Sequence, residues 1–213
     1  MKRLILLSEL SINLSKVIDS EIKKRIPANG AKLAYIPSAS DRQRAYFYKM
    51  KDYYQSLGVH DFLYFDIDEE YKEELRMELL MCNVIHLSGG DPVHFLKNII
   101  RNDIDKLLTQ FVREGGLLIG VSAGAIIMGP NIRIIDLLRE ADEATMTGDG
   151  KALGLVDFTT FPHWSGDEAL LAQVKDFAIK NKIKVYAYRD RDAIFIDGNN
   201  LAVLGDILVA NER

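Results

Sequence analysis

The residues best suited to chemistry lie in one apolar stretch of the chain, residues 117–128. Leu117-Leu118-Ile119 runs into Gly120-Val121-Ser122-Ala123-Gly124, and Ala125-Ile126-Ile127-Met128 follows. The first run suits a buried strand and the second a helix start. A serine between two glycines at such a junction has the pattern of a nucleophile elbow. The turn is too sharp for bulky neighbours, so Gly120 and Gly124 remove Cβ atoms where strand and helix approach. Ser122 then projects above the sheet edge at a helix N-terminus, whose free N–H groups and dipole favour negative charge. The same five residues also suit a glycine-rich strand-to-helix turn with a spectator serine.

A serine hydroxyl alone is a poor nucleophile. It requires a base to take its proton and donors to hold an oxyanion. The chain offers four histidines. His60 follows a helix-ending Gly-Val and reads as a surface loop residue. His86 lies inside an apolar strand, the setting of a satisfied core histidine. His94 sits one turn into a helix near Gly89-Gly90, where a structural role is the simpler assignment. His163 differs: it follows Pro162, which restricts the chain before it, and it ends a strand-like run. Loops at strand ends are where sheet enzymes present catalytic groups.

The donors are expected from Ser88-Gly89-Gly90-Asp91, which also follows a strand. Adjacent glycines let main-chain N–H groups face inward as an anion-binding concavity. The N–H of Gly90, paired with that of Ala123, would form an oxyanion hole. A phosphate-binding loop is the competing reading, but neither the Walker pattern nor Gly-x-Gly-x-x-Gly is present.

The elements that must position these groups follow from periodicity. Residues 1–8 read as a first buried strand, with further strands at 31–36, 62–66 and 84–88. Helical spacing covers 13–26, 46–57, 69–81, 94–100 and 104–113. Such alternation predicts an α/β fold, a mostly parallel sheet with helices on both faces. After the elbow the pattern loosens. Residues 133–144 fit a helix or an irregular excursion, and 167–180 a helix. Strands at 185–188, 193–196 and 201–204 follow, the last two joined by the turn Asp197-Gly198-Asn199-Asn200, so antiparallel strands are expected late in the chain. No repeat, linker or low-complexity tract interrupts residues 1–213, which read as a single domain.

Composition bounds the function. The chain has 213 residues, 48% of them hydrophobic, enough for one substantial core. Its net charge of −4 comes with no basic patch, so nucleic acid is not an expected partner. One cysteine, Cys82, excludes an internal disulfide and fits a cytoplasmic location. The apolar run at the N-terminus is too short for a signal segment, and no run approaches the roughly 20 residues that span a bilayer, so no membrane partner is expected. No His/Cys/Asp/Glu group has metal-ligand spacing, so neither a metal nor another cofactor is expected. The sequence leaves the oligomeric state open and is compatible with a homodimer.

Taken together, five pieces resemble the peptidase E family of serine peptidases, which includes aspartyl dipeptidases and cyanophycinases. They are Tyr35-Ile36-Pro37-Ser38-Ala39-Ser40, Leu87-Ser88-Gly89-Gly90-Asp91, the elbow, Gly154-Leu155-Val156 leading to Pro162-His163, and Arg189-Asp190-Arg191-Asp192-Ala193. The resemblance spans most of the chain. It implies a fold like the class I glutamine amidotransferases, with serine in place of their cysteine; Cys82 lies away from the elbow, ahead of a strand. It implies hydrolysis of small peptides by a triad in which Ser122 is the nucleophile and His163 the base. The acid position maps to Asp190, just past the strand at 185–188. Asp192 and Asp136 are the alternatives, with Arg189 or Arg191 the expected partner of Asp192. Two departures stand out: Arg191 replaces the small residue after the acid, and Asp91-Pro92 replaces the Asn-Thr of the dipeptidases, so aspartyl specificity does not carry over. Gly89, Gly90, Asp91 and Ala123 are the expected oxyanion and substrate-binding residues. The alternative function is a non-catalytic ligand-binding or interaction protein on the same fold.

Overall fold

The computed structural model describes residues 1–137 and 149–211. The chain begins with β1 (Arg3–Leu7), α1 (Lys16–Arg25), β2 (Lys32–Ile36), α2 (Ala45–Ser56) and β3 (Asp61–Tyr64). A 3₁₀ turn (Glu73–Leu75) leads into the short α3 (Arg76–Leu80), followed by β4 (Val84–Leu87), α4 (Pro92–Arg101), α5 (Ile104–Arg113), β5 (Leu117–Val121) and α6 (Ala123–Ile126). A second 3₁₀ turn (Arg133–Leu137) precedes β6 (Phe158–Phe161), α7 (Glu168–Lys180), β7 (Lys184–Ala187), β8 (Ala193–Asp197), β9 (Asn200–Leu204) and β10 (Leu208–Ala210).

Local chemistry sets several boundaries. Ser15 caps α1 by accepting the N–H of Ile18, and Lys23, Lys24 and Arg25 face the negative end of the helix dipole. Asp167 caps α7 in the same way through Leu170. The helix expected over 69–81 is shorter than its pattern. Glu69 and Glu70 reach across to Arg42 and Arg44, and the N–H of Glu69 donates to the Ser40 hydroxyl, so this segment is tied to the loop before α2 instead of coiling. Of the stretch 133–144, residues 133–137 form the second 3₁₀ turn and the rest lies outside the described residues.

The main sheet has the strand order β3-β2-β4-β5-β1-β8-β9. The pairs from β3 through β1 are parallel, whereas β8 and β9 are antiparallel additions at the other edge. Because strand side chains alternate, β1 sends Leu4 and Leu6 to one face and Ile5 and Leu7 to the other. The first face packs against α4 to α7 through residues such as Phe95, Leu108, Ile126 and Val174. The second packs against α1 and α2 through Ile18, Ile22, Tyr53 and Tyr54. Burial on both faces explains why these strands read as continuous apolar runs.

One feature is absent from the sequence pattern. The strands after the elbow do not all join the main sheet: β6 and β7 pair in parallel, and β10 adds antiparallel to β7, forming a separate three-stranded sheet. Its apolar residues, Phe158, Phe161, Val185 and Ala187, join the core that holds α4 to α6. This second sheet therefore packs on the same side as the elbow helix.

Candidate active site

The carboxyl ends of β4, β5 and β1 lie side by side, the place where an open α/β sheet collects its functional groups. At the end of β5 the chain turns into α6 with almost no spare volume. A Cβ on Gly120 would lie 2.5 Å from the Gly124 carbonyl oxygen, and one on Gly124 would lie 2.3 Å from that of Leu87 in β4. Both contacts are with backbone, so both positions demand glycine. Ser122 at the apex has φ 50° and ψ −110°, a conformation L-residues rarely adopt. Its N–H donates to the Leu7 carbonyl at 2.9 Å and its carbonyl accepts from Ala125 and Ile126, so the strain is held by bonds on both sides.

The second sheet delivers the histidine and the carboxylate. Beyond the β6–β7 ladder, the Tyr188 N–H donates to the Phe161 carbonyl at 3.1 Å and the Trp164 N–H to the Tyr188 carbonyl at 3.0 Å. The two loops after these strands therefore leave together, one carrying His163 and the other Asp190. His163 Nε2 lies 2.9 Å from Ser122 Oγ, across a sequence separation of 41 residues, and His163 Nδ1 lies 2.7 Å from Asp190 Oδ1. An ionised carboxylate accepts only, so Nδ1 carries the proton and Nε2 is free to accept from the serine. The His163 and Asp190 side chains are both about half exposed (49% and 47%), so the imidazole is open to a ligand from solvent.

Ser8, fully buried just past β1, holds this pair and was not singled out from the sequence. Its hydroxyl accepts the His163 main-chain N–H at 2.7 Å and donates to Asp190 Oδ1 at 2.8 Å, while Oγ lies 3.3 Å from His163 Nδ1. His163 has φ 57°, and the Ser8 bond pins that left-handed residue. The available signal was position: Ser8 ends the first strand of a parallel sheet, as Ser88 and Ser122 follow theirs.

The other expected site residues separate into two groups. Gly89 approaches so closely that a Cβ there would lie 3.5 Å from Ser122 Cβ. Gly90 has φ 134°, and a Cβ on it would lie 2.1 Å from Ser38 Oγ. Ser88 fastens this loop from both sides: its hydroxyl accepts the Ser38 N–H at 2.7 Å, and its carbonyl accepts the Gly124 N–H at 3.1 Å. Among the described residues none accepts the N–H of Gly90 or of Ala123. Asp91, in contrast, is exposed and caps α4, accepting from the N–H groups of Val93 at 2.8 Å and His94 at 3.4 Å. It does not line the cleft at Ser122.

Asp192 is buried, and it is Asp190 whose carboxylate is bonded to His163. Its Oδ2 accepts the main-chain N–H of Arg189 at 2.8 Å, so its partner is the arginine backbone and not the expected guanidinium. Asp136 lies in the 3₁₀ turn after the elbow, and the carboxylate at His163 Nδ1 is that of Asp190. His60 is exposed. His94 bonds to Asp68 at 2.7 Å and Asn98 at 2.9 Å on α4. His86 is buried in β4, 2.9 Å from the Tyr54 hydroxyl and stacked on Tyr35, and burial pushes its pKa down to about 3. Cys82 is buried, and burial pushes its thiol up to about 12, far from the thiolate a nucleophile needs. Among the described residues there is no group of three His, Cys, Asp or Glu side chains placed to hold a metal ion, and no helix is long and apolar enough to cross a membrane.

The site opens into a cleft of about 780 Å³, walled by the loops after β1, β2 and β4 and by the start of α2. An α/β sheet with a bonded Ser–His–Asp chain at its carboxyl edge is the arrangement found in serine hydrolases. The chain belongs to peptidase family S51, whose model matches residues 4–204, and it is a serine-type peptidase. It is 33% identical to an uncharacterised peptidase of Listeria monocytogenes over 81% of this chain and 85% of that protein. It is 27% identical to peptidase E of Actinobacillus pleuropneumoniae over 86% of this chain and 80% of that one. A crystal structure of a candidate peptidase E protein from Listeria monocytogenes superposes with a TM-score of 0.74 at 29% identity, covering 96% of this chain and 98% of that one.

Proposed function

We propose that this peptidase hydrolyses small peptides through a Ser122–His163–Asp190 triad. The observation that carries the reading is the hydrogen-bonded chain from Ser122 Oγ through both ring nitrogens of His163 to Asp190. Ser122 Oγ attacks the scissile carbonyl carbon while His163 Nε2 takes its proton. The oxyanion forms against the N–H groups of Gly90 and Ala123, which have no other acceptor among the described residues. As the C–N bond breaks, His163 returns the proton to the leaving amine. Water, deprotonated by the same nitrogen, then releases the acyl group from Ser122. Asp190 stays ionised, fixing the tautomer and stabilising the imidazolium. Small substrates suit the cleft, whose volume falls in the range of small-ligand pockets, roughly 300–1,000 Å³.

The test is a dipeptide library with acidic, basic and neutral N-terminal residues, run on wild type and Ser122→Ala in parallel. Turnover by wild type, its loss by several orders of magnitude in the variant, and a fluorophosphonate adduct on Ser122 are expected. Folded protein that takes no adduct and cleaves no peptide refutes the reading and favours a non-catalytic binder.

A further inference from the structure

The charge lining the cleft is one-sided. Two acidic residues line it, Glu9 and Asp41, while among the described residues no lysine or arginine does. Two histidines line it: His163, which is bonded to Asp190, and His86, which burial holds neutral so that it adds no positive charge. Glu9 directly follows Ser8, the residue bonded to both His163 and Asp190, so it sits one residue along the chain from the side chain that holds that pair. It is partly buried, and among the described residues no cation pairs with it. Asp41 accepts the Tyr46 N–H at 3.1 Å, a bond that leaves its charge uncompensated.

The neighbouring arginines are drawn elsewhere. Arg42 pairs with Glu69, and Arg44 pairs with Glu70 while lying over the Tyr64 ring. Arg189 and Arg191 flank Asp190 in sequence but do not line the cleft. A substrate carboxylate in this cleft would therefore meet two like charges and, among the described residues, no counter-ion, whereas an ammonium or guanidinium would find two carboxylates that no described cation neutralises. Low-dielectric walls strengthen both effects relative to bulk water.

We infer that the cleft selects small peptides with a basic residue beside the scissile bond and discriminates against acidic ones, Glu9 and Asp41 being the residues that read the charge. The inference rests on the proposed peptidase reaction at Ser122 and names its substrate class. Opposite-charge recognition and like-charge rejection act together in such a site.

The experiment compares Lys-Ala with Asp-Ala and Ala-Lys with Ala-Asp, so that both sides of the bond are sampled. The expected kcat/KM ratio favours the basic peptide by about tenfold or more on at least one side, the scale of a partly screened charge contact. The ratio should shrink as salt is raised, which a steric preference would not do. Glu9→Gln and Asp41→Asn should each lower the ratio, and Glu9→Lys should lower it further. Acidic peptides turned over as well as basic ones on both sides overturn the inference, and so does a ratio indifferent to salt; both readings use wild type and need no variant to fold. Calorimetric binding of the same peptides to Ser122→Ala separates the two layers. Preferential binding of basic peptides without any wild-type turnover would sink the catalytic reading while upholding charge selection. Turnover that depends on Ser122 but shows no charge preference would do the reverse.

Discussion

Replacing Ser8 by alanine tests whether the site depends on more than the proposed triad of Ser122, His163 and Asp190. The change deletes one buried hydroxyl and three short contacts: to the His163 N–H, to Asp190 Oδ1 and to His163 Nδ1. The consequences are unequal. Asp190 is about half exposed, so water can replace the lost donor at its carboxylate. The His163 main-chain N–H, part-buried in its bond to Ser8, has no other acceptor among the described residues, and a donor left unmet there costs about 1–3 kcal/mol. That bond also holds His163 at positive φ. Without it the loop relaxes and carries the imidazole away from Ser122, and a displacement near 1 Å can lower a rate by about 10². We expect kcat to fall by about 10- to 100-fold with KM little changed, and unfolding free energy to fall by about 1–3 kcal/mol. Steady-state kinetics on the best library peptide and urea denaturation give the two numbers. A Ser8→Ala enzyme with wild-type kcat would refute the positioning argument, whatever its stability. A loss confined to KM would show that Ser8 acts on substrate binding instead.

Two further outcomes follow from the same geometry. Asp190→Asn should lower kcat by a factor on the order of 10⁴, because an amide cannot hold the required His163 tautomer. Asp192→Asn should remain active, since its oxygen only accepts the Arg189 N–H, and Asp136→Asn should also remain active; the three variants on one substrate decide the matter, and a dead Asp192→Asn or Asp136→Asn beside an active Asp190→Asn reverses the assignment. His86 makes stability depend on acid. Its pKa is about 3 when folded against an ordinary 6.5, so between those values the unfolded chain binds a proton that the folded chain does not. Stability should therefore fall as pH drops below 6.5, with a slope approaching about 1.4 kcal/mol per pH unit from this group, and urea titrations of His86→Asn across that window should be flatter. An unchanged slope in the variant would mean His86 is not the group responsible.

The parts of the site that rest on local backbone chemistry were legible in the sequence. Gly120 and Gly124 are needed for a strand-to-helix approach that a Cβ would block, and short-range packing of this kind leaves a mark in five residues. The alternation of apolar strands with amphipathic helices likewise carried the α/β class, because burial on both sheet faces demands it. Asp91 shows the limit of local reading: next to two glycines it looked like part of the binding loop, yet the following Pro92 begins a helix that uses its carboxylate as a cap.

What the residue order determined by itself was therefore the α/β class, the tight elbow, and Ser122 and His163 as the candidate serine and histidine. The tertiary structure alone decided how the second half of the chain serves that elbow. Strand propensity cannot say which strands pair, and β6, β7 and β10 leave the main sheet to form one of their own. That separate sheet carries His163 and Asp190 out on paired loops, sets the Asp190 carboxylate at His163 Nδ1, and brings both against Ser8 from the opposite end of the chain. The Ser8–Asp190 bond spans 182 residues, and the charge of the cleft depends on which arginines are drawn away by distant glutamates. Such contacts are set by the packing of whole elements in three dimensions, and no window of neighbouring residues contains them.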